Sequence, residues 1–144
     1  ISHKLVGNNI IVHHEARYHN SRDVEIFKEW LLGEYNKSTR EEKISFYNKL
    51  MGKKSNHAKY RNLEWGKPSP TIVAHLYKDG LMFIHPDAKQ ARSISVKEAA
   101  LIQSFPDDFE FPEKMGHNYK MIGNAVPPLM AEKIALSIAN VWKK

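Results

Sequence analysis

Apolar positions recur along this chain at two periods, and the switches between them predict its elements. Asn9 to His13 is a short β-branched run that reads as a strand. Asn20 or Ser21 caps a helix reaching about Leu32, because Val24, Phe27 and Leu31 fall at helical spacing and Gly33 follows as a stop. A second helix is marked by Ser38 with Glu41, or Thr39 with Glu42, either pair forming a capping box ahead of Ile44, Tyr47 and Met51; Gly52 ends it. Residues 52–70 are basic, polar and broken by Gly66, Pro68 and Pro70, which predicts loop with at most one short strand around Tyr60–Glu64. Thr71–Tyr77 and Leu81–His85 are β-rich runs joined around Asp79-Gly80, where glycine supplies the positive φ of a tight turn, so they read as a β-hairpin.

The second half is punctuated differently. Ser95 and Glu98 make a further capping box and start a helix through Gln103, with Ala99 and Ile102 on one face, which Pro106 keeps from continuing. Asp107, Asp108 and a Phe-rich tail read as loop, a short helix fits before Gly123, and Pro127-Pro128 sits in the first turn of a last helix. That helix carries an apolar stripe of Met130, Ile134, Ile138 and Val141. No internal repeat and no alternating strand-helix unit of a doubly wound sheet is visible. The expected fold is therefore α+β: a small mixed domain with a β-hairpin and several short helices.

Composition narrows the classes. The chain has 144 residues, 42% hydrophobic and 26% charged, with no apolar run long enough for a membrane helix. It has no cysteine, so disulfide frameworks and cysteine-ligated zinc are excluded, and a cytoplasmic location is the default expectation. Ile1 in place of a start methionine points to a piece of a longer polypeptide. The net charge of +6 is concentrated early, since residues 1–67 hold 13 of the 22 Lys+Arg but only 8 of the 16 Asp+Glu. Lys49, Lys53, Lys54, Lys59, Arg61 and Lys67 face only Glu64 within their stretch, which suits either contact with nucleic-acid phosphates or a solvated loop.

Two segments carry candidate chemistry. Gly-Asn-Ala-Val-Pro-Pro at Gly123 to Pro128 dictates a sharp turn before a helix, able to present backbone amides to an anion or to serve as an ordinary helix entry. RSISVKEAALIQSFPDDFEF, Arg92 to Phe111, reads as a capped packing element whose Arg92 and Gln103 suit buried hydrogen bonds to neighbouring loops. His13-His14 with His19 is a poor metal site, because neighbours on a strand point to opposite faces, and Asp107-Asp108 lacks the further carboxylates of a magnesium site.

Together these two segments resemble the ninth and tenth conserved motifs of the DNA cytosine-5 methyltransferases. HHEARYHNSRD at His13 to Asp23 and KPSPTIVAHLYKDGLMFIHPD at Lys67 to Asp87 resemble the target-recognition region of one branch of that family, while residues 24–60 match poorly. The resemblance implies a C-terminal part of such an enzyme, in which 1–91 read DNA and 92–144 brace that region and return, through the last helix, to a missing α/β methyl-donor domain. It implies that Asn124, Ala125 and Val126 line the methionine end of the S-adenosylmethionine pocket. It implies that Arg92, Glu98 and Gln103 brace the recognition region, and that Thr71 contacts a phosphate beside the extruded base. Lys53 and Lys54 are then candidate phosphate contacts, and Asn56, Lys59, Arg61 and Asn62 candidate base readers. Expected partners are double-stranded DNA and the catalytic domain or subunit, as in a bacterial restriction-modification system. The family's chemistry needs a cysteine thiolate, and this chain has none; its glycine-rich donor loop and Glu-Asn-Val are also absent. The chain alone is expected to be inactive. The other class that fits is a non-enzymatic DNA-binding or assembly protein derived from such an enzyme.

Overall fold

A computed structural model describes residues 11–78, 80–112 and 114–142. Among the described residues the α-helices are α1 (Ser21–Leu32), α2 (Arg40–Met51), α3 (Val96–Ile102), α4 (Met115–Asn124) and α5 (Pro128–Trp142). Short 3-10 turns occupy Tyr35–Lys37, Ala74–Tyr77 and Gly80–Met82. None of these helices is long and apolar enough to cross a membrane.

Local polar signals set the helix boundaries. Asn20 Oδ1 accepts the Asp23 N–H at 2.9 Å and opens α1, and Gly33 closes it. At α2 the capping box is Thr39 with Glu42: the Glu42 N–H reaches Thr39 Oγ1, and the Thr39 N–H donates to Glu42 Oε2 at 2.7 Å. Ser95 and Glu98 repeat that arrangement at α3. Ile102, expected on the core face of α3, is exposed; Val96, Ala99 and Ala100 are buried instead.

The α+β expectation is overturned. No β-strand and no hairpin occurs among the described residues, and the domain is built of helices and turns. Of the expected first strand, Asn9 and Ile10 lie outside the described residues, and Val12-His13 form a turn. Asp79, in the expected hairpin turn, also lies outside them. The flanking runs do not pair. Leu76 N–H returns to Val73 O and Lys78 N–H to His75 O, winding 74–77 into a 3-10 turn that packs against α4.

The alternation of the sequence has a different use. Residues 61–63, 83–85 and 92–94 lie side by side, joined only by isolated bridges from Asn62 to Ile84 and from Ile84 to Ser93. Along this extended piece Phe83 is buried in one core cluster and Ile84 in another. The first cluster gathers Ile72, Leu76, Ile94, Val96, Ala99, Phe111, Tyr119 and Ile122 beneath α3 and α4. The second joins Ile26, Phe27 and Trp30 of α1 to Phe46 of α2 and to Tyr60. A period of two therefore marks a connector between two cores rather than half of a hairpin.

The final helix differs from the rest. No residue of α5 is buried, and Leu129, Met130, Ile134, Leu136, Ile138, Val141 and Trp142 all face solvent.

Candidate functional site

Two surfaces and a junction at the start of α3 hold the residues singled out from the sequence. The junction is built on Arg92 and Glu98. Arg92 Nη1 and Nη2 donate to the two Glu98 oxygens at 2.7 and 2.8 Å, a bidentate fork in which the guanidinium matches the carboxylate in shape and charge. Glu98 Oε2 also accepts the Ser95 N–H at 2.7 Å. Burial by itself would raise the Glu98 pKa, but the Arg92 hydrogen bonds and the Ser95 amide outweigh it and hold the carboxyl at about 2.

Histidines fasten the segment before α1 to this junction. His14 Nδ1 shares a hydrogen bond with Ser95 Oγ at 3.1 Å. His19 Nε2 receives the Ser93 N–H at 3.1 Å, so that nitrogen is unprotonated. Burial, then the nearby Arg17 charge, lowers the His19 pKa against the opposing pull of Asp23. His85 Nδ1 accepts the Asp87 N–H at 3.2 Å, and burial and Arg92 lower its pKa likewise. His13, His14 and His19 thus have separate partners, His13 lying edge-on to Phe111. No cluster of three or more His, Asp or Glu able to hold a metal occurs among the described residues.

Arg17, which periodicity did not single out, ties these parts together. Its Nη2 donates to Leu76 O at 3.0 Å, and its guanidinium lies 4.5 Å from the centre of the Tyr119 ring. The Tyr119 hydroxyl in turn donates to Ile94 O at 2.7 Å. Because all of Arg17's partners lie far away in sequence, no local pattern marks it.

The first surface is the turn after α4. Gln103, at the end of α3 and buried, donates from Nε2 to Ile122 O at 3.1 Å and to Ala125 O at 3.3 Å. Those carbonyls are drawn inward, while Asn124 and Val126 face outward and Ala125 is half-buried. The turn does not suit an anion. Pro127 and Pro128 have no N–H, and the Leu129 N–H is donated to Ser104 Oγ at 3.2 Å. The turn therefore presents a short amide side chain beside small and branched apolar ones.

The second surface is the basic segment. Lys53, Lys54, Asn56 and Arg61 are exposed, as is Thr71, and Lys59 is half-buried. The segment is held in place: the Ser55 N–H donates to Asn48 Oδ1 at 2.7 Å, and Arg40 Nη2 donates to Asn56 O at 2.9 Å. Its single acid is internally engaged, since Glu64 accepts from Asn36 Nδ2 at 2.6 Å and from Lys67 Nζ, and the Lys67 bond, followed by that of Asn36, holds its pKa low. Asn62 stands apart from its neighbours. Its Oδ1 accepts the Trp30 indole N–H at 2.9 Å and its Nδ2 donates to Leu63 O, so its amide is used inside the fold. Trp65, not expected from the sequence, is 73% exposed at the tip of a turn in which Lys67 N–H returns to Glu64 O and Gly66 takes φ +71°. Its ring rests edge-on against His85. The available signal was an aromatic residue set within a basic run.

Comparison with known proteins gives a consistent picture. The family model described as C-5 cytosine-specific DNA methylase matches residues 3–140. A type II methyltransferase of Bacillus paralicheniformis is 38% identical over 135 residues, covering 89% of this chain and 29% of the relative. The type II methyltransferase M.DdeI of Desulfomicrobium norvegicum is 34% identical, with 92% of this chain and 34% of the relative covered. The type II methyltransferase M.AgeI of Thalassovita gelatinovora is 48% identical over 80 residues, 56% of this chain and 18% of the relative. The chain thus spans at most 34% of the length of these curated relatives. No solved structure matches.

Proposed function

Because this chain belongs to the C-5 cytosine-specific DNA methylase family, we propose that it is the C-terminal part of a type II DNA cytosine-5 methyltransferase, supplying DNA recognition and one wall of the S-adenosylmethionine pocket. In this reading 1–91 face duplex DNA, and 92–144 brace that region and lead back to the methyl-donor domain through the bare apolar face of α5. S-Adenosylmethionine, when bound, supplies the methyl group. Asn124, Ala125 and Val126 hold its methionine end through short side-chain and backbone contacts. The observation that supports this best is the Gln103 amide, which turns the carbonyls of Ile122 and Ala125 inward and leaves Asn124 and Val126 free for a ligand.

Lys53, Lys54, Lys59, Arg61 and Thr71 meet phosphates and neighbouring base edges, with Asn56 and the exposed Trp65 among them. Asn62 is left out of this set, because its amide is already bonded to Trp30. The thiolate that attacks the extruded cytosine comes from the catalytic domain or subunit, since these 144 residues hold no cysteine.

Photo-crosslinking of labelled S-adenosylmethionine to the full-length protein, followed by peptide mapping, tests the donor half. Label on the peptide spanning 124–126 is expected. Label confined to peptides outside 92–144 overturns it.

A further inference from the structure

Gly123 precedes the donor turn, and its backbone gives no reason for glycine: it lies inside α4 and is not among the residues with positive φ. Glycine within a helix is destabilising relative to alanine, so something else requires it. The requirement is space. A Cβ at Gly123 would lie 2.6 Å from Val73 O, 3.1 Å from Ala74 O and 3.2 Å from Ala74 Cα. All three are backbone atoms, which cannot rotate aside as a side-chain end can. Gly116, in the same helix, would meet nothing within 4 Å.

The last turn of α4 thus sits directly on the main chain of 73–74, and other ties keep it there. Ile72 and Leu76 are buried in the same cluster as Tyr119 and Ile122. Arg17 holds Leu76 O, and Gln103 holds Ile122 O and Ala125 O. Thr71 lies two residues before Val73, and Asn124 one residue after Gly123. We infer that Gly123 is a positioning residue, locking the methyl-donor turn to the DNA-contacting Thr71 segment so that occupancy of either site strengthens binding at the other. This rests on the function proposed above. It adds that the two ligands are linked through one backbone contact, and linkage requires the strengthening to be equal in both directions.

The test is the dissociation constant of the full-length protein for S-adenosylmethionine, measured with and without duplex DNA carrying its methylation site, for wild type, Gly116→Ala, Gly123→Ala and Gln103→Leu. In wild type, DNA is expected to tighten donor binding by about fivefold or more. Gly116→Ala should keep that ratio. Gly123→Ala should weaken each ligand alone and bring the ratio close to unity, which mere loss of folded protein would not do, because inactive molecules lower the number of sites and leave the ratio intact. Should Gly123→Ala fail to fold, Gln103→Leu frees the turn without a clash and should lower the ratio by itself. A wild-type ratio of unity overturns the inference, as does a wild-type ratio kept in folded Gly123→Ala or, where that variant does not fold, in Gln103→Leu. Val126→Trp, and Lys53, Lys54 and Lys59 changed together to alanine, separate the two levels. If they leave donor and DNA binding untouched, the proposed function fails; if each weakens its own ligand while the Gly123→Ala ratio stays at wild type, only the coupling fails.

Discussion

The guanidinium of Arg92 and the carboxylate of Glu98 engage through two hydrogen bonds of 2.7 and 2.8 Å at the point where the extended segment 92–94 leads into α3. The same carboxylate closes the capping box of that helix, so one side chain serves both junction and helix start. Glu98→Gln keeps the shape but removes the charge, and should lower stability by on the order of 1–3 kcal/mol. Chemical denaturation of the two proteins at neutral pH checks this, and equal midpoints would contradict it.

The pH dependence follows in sign. The folded pKa of Glu98, about 2, lies below its ordinary 4.5, so its contribution is fully present above pH 4.5 and drains away as pH falls through about 2. The wild-type stability curve should therefore fall across that window, and Glu98→Gln should flatten it.

A second loss should begin at milder acidity. His19 and His85 have folded pKa values below the ordinary 6.5, because desolvation and then a neighbouring guanidinium, Arg17 for His19 and Arg92 for His85, disfavour the charged ring. Their contribution is complete above pH 6.5 and is lost below it as the rings take up protons. Thermal melts from about pH 7.5 down to about pH 5, a window that brackets the ordinary histidine value, should show a falling midpoint that His19→Gln reduces in steepness. An unchanged steepness in both His19→Gln and His85→Gln would refute the assignment.

For the basic segment the expected observable is a salt slope. Alanine at Lys53, Lys54 and Lys59 together should weaken DNA binding by the full-length protein and reduce the slope of log affinity against log salt by about one unit per lost phosphate contact. The same slope with weaker binding would mean that these lysines act on the fold rather than on phosphates.

Asn62→Ala should behave in the opposite way. It strips the buried Trp30 indole of its acceptor, at a cost of about 1–3 kcal/mol in stability, while leaving the salt slope of DNA binding unchanged. Trp65→Ala, on an exposed turn, should spare stability and weaken DNA binding instead.

Sequence logic reached the elements whose causes are local. Asn20, Thr39 with Glu42, Ser95 with Glu98 and the Pro127-Pro128 pair each act within a turn of the helix they begin, and those helices stand where the signals lie. It failed where a pattern had two uses. Ile72, Leu76 and Phe83 look like parts of a hairpin, yet 74–77 winds into a turn packed on α4, and that fit depends on a glycine some fifty residues away. Asn62 reads as one of a basic run, and its bond to Trp30 spans a separation no local pattern conveys. Arg17 and Trp65 were missed for similar reasons, one defined by distant carbonyls and a ring, the other by its solvent exposure.

The uncovered rod from Pro128 to Trp142 governs how these residues behave at the bench. A preparation of 1–144 by itself should scatter light, take up hydrophobic dyes and elute heavier than 16.7 kDa at high concentration. An added methyl-donor domain should reverse all three without altering the helical signal of the remainder, and turbidity that persisted beside it would count against α5 as a docking face.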